Sequence, residues 1–176
     1  MIEHIDQRSV NFKTNNSEYR GLKIPEKAIA SRTFLVLPSS HVYEVGENYV
    51  VIKRDDYAYG QVPIVPRTLR NRETSEGYVY VLQDFNNLAL GDVIIREDEP
   101  DSEFVISEVV TDVGVFRVNN GIATFTSIDT EGMVVDDKGY AIICTDRNSG
   151  RGGINVHDRI IADAYNYPIE EEQKIF

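Results

Sequence analysis

Between Asp146 and Asp158 the chain reads DRNSGRGGINVHD, in which glycines separate the oxygen-bearing side chains of Asp146, Asn148 and Asp158. A calcium ion takes several oxygen ligands, and a loop that wraps it needs them at alternate positions, with glycine where the chain turns sharply. These residue types therefore suit a divalent-cation loop built on Asp146, Asn148 and Asp158. The same segment also suits an anion cradle, because Gly150-Arg151-Gly152-Gly153 leads toward DRIIADAYNY, a plausible short helix. Backbone N–H groups of a glycine loop ahead of a helix can bind phosphate.

The cation pattern resembles a calcium loop of the EF-hand or dockerin type and departs from it in three places. Its fifth position is Gly150 rather than an acid, it is one residue too long, and His157 stands where a bidentate carboxylate belongs. It also follows YAIICT, a strand pattern, where such loops follow a helix. For the anion cradle, neither G-x-x-x-x-G-K-[ST] nor G-x-G-x-x-G occurs. A glycine-rich surface loop is the simpler expectation for both.

Three other groups carry reactive residue types. Cys144, His157 and Asp158 supply a nucleophile, a base and an orienting acid, but Cys144 lies in the apolar run AIIC, where buried inert thiols are common. Asp101, Asp136, Asp137 and Lys138 imitate the acidic signature of a magnesium-dependent nuclease, yet DDKG between two apolar runs is more simply a hairpin turn. His4, His41 and His157 show no zinc-type spacing. The chain is expected to be non-enzymatic and to use no cofactor.

The remaining site lies between Arg54 and Glu76. Strand patterning lapses there across Gly60, Pro63 and Pro66, so the segment is read as a long central loop; loops beyond about 12–15 residues are usually functional or disordered. Arg54, Arg67, Arg70 and Arg72 gather there with Tyr57 and Tyr59. Arginine with tyrosine suits either a single-stranded nucleic-acid groove or a protein contact. Asp55, Asp56, Glu73 and Glu76 among the cations favour protein.

Charge over the whole chain agrees. The net charge is −11; residues 1–90 carry 11 Lys/Arg against 11 Asp/Glu, and residues 91–176 carry 7 against 18. An acidic half repels phosphate backbones, so nucleic acid is not expected as a partner. A basic loop on a molecule with an acidic half suits head-to-tail contact between copies.

Short strands cut by turns must position these groups. From Tyr78 to Thr145 they read YVYVLQDF, DVIIRE, SEFVISEVV, VGVFRVN, IATFTSI, GMVVDD and YAIICT. Asn120-Gly121 suits a type I′ hairpin, and Gly139 suits the left-handed position of a longer loop. Upstream, TFLVL, HVYEV and YVVIK continue the pattern, the last two joined through a three-residue loop containing Gly46. Turn signals roughly every 8–12 residues indicate an antiparallel sandwich or barrel. Phe116 with Val118 and Ala123 with Phe125 alternate with polar residues as half-buried strands do.

The expected fold is all-β. It has an N-terminal arm over residues 1–32, a sandwich or barrel over 33–165 and a tail over 166–176. Val10, Phe12, Tyr19, Leu22 and Ile24 give the arm apolar anchors. PEKAIASR suits one or two turns of helix with Pro25 at its first position, and RIIADAY a short amphipathic turn or C-terminal helix whose Ile160, Ile161 and Tyr165 cap one end of the barrel. Hydrophobic residues at 41% and charged at 27% fit a globular protein, and a lone cysteine excludes an intrachain disulfide. No stretch has the length of a signal peptide or a membrane span, so the chain is expected to be soluble, and intracellular or assembled into a particle.

Two functions follow from this reading. The first is an interaction subunit of a larger assembly, by analogy of architecture a phage neck, tail or capsid component, with copies of itself and other subunits as partners. The alternative is a small β-barrel enzyme or ligand-binding protein that uses the 144–158 loop, with a divalent cation.

Overall fold

In a computed structural model, residues 2–4, 9–14, 17–70, 72, 76–149, 152–167, 169–170 and 174–175 are described, those up to residue 20 for their backbone alone. The strands run in chain order as β1 (Ile2–His4), β2 (Ser9–Thr14), β3 (Ser17–Pro25), β4 (Ala30–Pro38), β5 (Tyr43–Val45), β6 (Asn48–Asp55), β7 (Ala58–Ile64) and β8 (Pro66–Arg67). They continue as β9 (Tyr78–Leu82), β10 (Val93–Ile95), β11 (Phe104–Val105), β12 (Val109–Asn119), β13 (Ile122–Ser127), β14 (Val134–Val135), β15 (Tyr140–Cys144) and β16 (Arg159–Ile161). Helix α1 (Thr145–Asn148) is a single turn, and 3-10 turns occupy Glu26–Ala28 and Ser39–His41. The fold is all-β with antiparallel sheets, as expected.

The chain divides into two compact units, Met1–Ser31 with Val113–Phe176, and Arg32–Asp112. In the second unit β6 is the central strand. It pairs along its length with β7, and on its other side with β5 and β10; β9 pairs with β4 and β8. Val51 of β6 is fully buried with Leu35, Leu37, Ile94 and Ile106. Burying aliphatic side chains of this size contributes about 1.5–3 kcal/mol each.

The first unit is built around β3 and β15, paired from Tyr140↔Pro25 to Cys144↔Gly21. Leu22, Ile24, Val115, Ile128, Ile143 and Ile160 form its core, each fully buried. The β12–β13 hairpin closes on Asn120 at φ 49° and Gly121 at φ 75°, the two positive values that a type I′ turn needs. Phe116 faces Phe125 across this ladder with ring centroids 5.4 Å apart and planes at 76°, an edge-to-face pair. Gly114 makes room for it: a Cβ there would run into Thr126 O and the Phe125 ring.

Five expectations need correction. Leu22 and Ile24 do not anchor an arm on a neighbour, because β3 is an internal strand and both are buried in their own unit's core. The segment after Arg54 is not one long loop. A two-residue turn, Asp56-Tyr57, returns the chain into β7, whose exposed Gly60 and Pro63 hide the alternation of a strand. RIIADAY is not helical: Arg159–Ile161 pair with β1, and Ile160 pairs with Arg117 of β12, so long-range pairing overrides the local pattern. Of the three residues expected to cover the barrel's end, Ile160 and Ile161 are buried, whereas Tyr165 is exposed. The loop at Gly46 is shorter than expected, since Val45 pairs directly with Asn48.

Candidate functional site

The β6–β7 hairpin gathers the largest group of the expected site residues. Arg54 pairs with Tyr59 across the ladder, and Tyr57 occupies the turn. Tyr57 is 102% exposed and Tyr59 57%. Lys53 to Ala58 line one side of an open concavity of about 890 Å³, and Gly91, Asp92 and Val93 line the other.

The two cations of this concavity are paired within the chain, and Asp55 and Asp56 stand exposed beside them. Lys53 Nζ lies 2.9 Å from Asp92 Oδ2 and donates to Asn87 O at 3.2 Å, which ties the 84–91 loop to β6. The same Asp92 oxygen accepts the Ala89 N–H at 2.9 Å, and Arg54 is ion-paired with Glu103. Partly exposed pairs of this kind fix geometry more than they stabilise. The groups left exposed at this end of the unit are therefore Asp55, Asp56 and Tyr57, with Tyr59 next on β7 and Phe85 and Leu90 on the 84–91 loop. Arg67 lies apart in β8, opposite Tyr80, and Arg70 and Arg72 follow it; none of the three lines the concavity.

The cation loop is organised differently from the expectation. Asn148 is fully buried. Its Nδ2 donates to Asp129 O at 2.9 Å and to Cys144 O at 3.0 Å, while its Oδ1 accepts the Asp129 N–H at 2.6 Å. Its main-chain oxygen also accepts the Ile154 N–H at 2.8 Å. An amide used this way, buried and with its oxygen and both N–H groups engaged, holds the loop after β13 to α1. Asp158 accepts the Asn155 N–H at 2.8 Å and lies 3.5 Å from Arg117 Nη1, and Asp146 is exposed. Gly150 and Arg151, central to the anion-cradle reading, lie outside the described residues. Among the described residues, no three His, Cys, Asp or Glu side chains gather as a metal-binding group.

The other reactive types also have structural duties. Cys144 is buried and pairs with Gly21, whereas His157 is exposed at φ 78°. Asp136 closes the β14–β15 hairpin. Its Oδ1 accepts the N–H groups of Lys138 at 2.9 Å and Tyr140 at 3.0 Å, and its Oδ2 lies 2.9 Å from Lys23 Nζ. The Lys23 hydrogen bond, helped by the Tyr140 N–H, pulls its carboxyl down from 3.8 to about 2. Gly139, at φ 82°, takes the left-handed position expected of it. Arg147 bridges Asp129 at 3.2 Å and Glu131 at 2.7 Å, and the hydrogen bond to Asp129 raises its pKa.

No helix of the described residues is long and apolar enough to cross a membrane. No family model matches the chain, and no significant match to it is found among curated proteins or solved structures.

Proposed function

We propose that this chain is a non-enzymatic structural subunit of a multi-subunit assembly, of the kind that builds the neck, tail or capsid of a virion. It meets its neighbours through the β6–β7 hairpin. The observation that carries this reading is the fully exposed Tyr57 at the turn, with Tyr59 beside it on β7. Tyrosine supplies a large amphipathic contact at small entropic cost and is enriched where proteins meet. Scattered exposed apolar residues are ordinary, but here Phe85 and Leu90 lie on the very loop that Lys53 ties to the hairpin.

Internal duties of the acids and cations support the same reading. Asp136, Asp129, Asp158 and Asp92 each hold a backbone N–H and face a cation, which is how a scaffold uses carboxylates. Native mass spectrometry of the purified protein tests the proposal. A defined oligomer without a bound metal mass supports it; a monomer that gains one calcium mass contradicts it and returns the function to the 144–158 loop.

A further inference from the structure

The outer edge of β7 has a hydrogen-bonding pattern that can be worked out residue by residue. Val50 pairs with Pro63 on one side and with Tyr43 on the other. In an antiparallel ladder the doubly bonded and unbonded pairs alternate. Proline has no N–H to give, so Val50↔Pro63 is an unbonded pair, and Ile52↔Gln61 and Arg54↔Tyr59 are unbonded with it. The N–H and C=O groups of Tyr59 and Gln61, and the C=O of Pro63, therefore point away from β6. Among the described residues β7 pairs with β6 alone, and Ala58 to Gln61 are exposed.

Gly60 is the second observation. It does not have positive φ, and a Cβ built on it would meet nothing within 4 Å. Nothing in this chain's own fold calls for glycine there, although glycine in a strand interior costs about 0.5–1 kcal/mol relative to alanine. A strand glycine marks a bulge, a tight bend or a close approach of another backbone, and the unbroken register of β7 on β6 leaves no bulge at Gly60. The ten residues from Tyr57 to Pro66 carry no charge, so this edge lacks the lysines and glutamates that usually keep edges apart.

We propose that β7 pairs antiparallel with β7 of a second copy, about a two-fold axis at Gly60. Tyr59 then lies opposite Gln61 of the copy, and each such pair exchanges two backbone hydrogen bonds. Gly60 meets its own equivalent in the unbonded position, where Cα atoms approach to about 4.5 Å. Pro63 selects this register, because a slip that sets Pro63 opposite Tyr59 loses a donor on each side. The pairing is isologous, so it closes on itself as a dimer. It rests on the subunit reading and gives that reading a first partner.

Cysteine cross-linking reads the register directly. Gly60→Cys places two thiols at a separation that a disulfide spans, in a protein whose own Cys144 is buried. Mild oxidation is expected to give a disulfide-linked dimer as the main species with Gly60→Cys and monomer with Ala58→Cys. Gln61→Pro removes only an outward N–H and is expected to weaken the dimer at least tenfold with unchanged circular dichroism. No covalent dimer, equal linking by both cysteine variants, or undiminished association of Gln61→Pro overturns the pairing. The subunit reading is judged separately, by whether the wild-type protein still forms an oligomer in native mass spectrometry.

Discussion

Asn148 holds Asp129 by both ends of its amide: its Oδ1 accepts the Asp129 N–H at 2.6 Å, and its Nδ2 donates to the Asp129 carbonyl at 2.9 Å. This buried clamp joins the loop after β13 to α1, and it sets two uses of the same asparagine against each other. As a clamp it is needed whether or not calcium is present. As a ligand it would matter only with the ion. Asn148→Ala leaves buried backbone groups without partners, at about 1–3 kcal/mol for each. We expect it to destabilise the fold by roughly 3 kcal/mol in urea, and we expect calcium to shift the melting temperature of neither wild type nor variant.

Two glycines give opposite expectations. Gly114→Ala forces a Cβ against Thr126 O and the Phe125 ring, so β12 and β13 must part or the aromatic pair must shift. Overpacking of that kind costs about 1–3 kcal/mol. Gly60→Ala meets open space in an ordinary strand conformation and should stabilise the monomer by about 0.4–1 kcal/mol through the unfolded chain. Urea midpoints of the two variants at low protein concentration check the contrast.

Asp136 sets a pH dependence with a definite sign. Its carboxyl titrates lower in the folded protein, at about 2, than its usual 3.8. The native state therefore holds it ionised where the unfolded chain would protonate it. Stability from this group is complete above about pH 4 and drains away as pH falls toward 2. Asp136→Asn should flatten that part of the stability–pH curve, and so should Lys23→Met, because Lys23 is the main cause of the shift. Thermal melts between pH 2 and 5 would show it.

Local turn chemistry made part of this fold legible. Asn120-Gly121 and Asp136 to Gly139 announce their hairpins because the required backbone angles belong to those residue types. β7 was hidden because an exposed edge strand with Gly60 and Pro63 has no buried face to impose alternation along its length. β16 was hidden because Ile160 and Ile161 suit a helix or a strand equally, and partners far along the chain decide. Asn148 gave no signal, since a buried amide and a ligand have the same letter. Charge misled for a related reason. Counted by unit, residues 32–112 hold seven Lys/Arg against fifteen Asp/Glu, a net of −8, and the remainder is −3. The basic stretch thus lies in the more acidic unit, and the sequence halves are not structural ones.

The most direct test of the account is sedimentation velocity of the wild-type protein and of a Tyr57→Ala/Tyr59→Ala double variant, over a hundredfold range of concentration. Tyr57 stands clear of its own unit and Tyr59 is more than half exposed, so the variant should fold with a melting temperature close to that of the wild type. The account predicts a concentration-dependent oligomer for the wild type and a shift toward monomer for the variant. Identical sedimentation of the two, at every concentration, would contradict the role given to the β6–β7 hairpin.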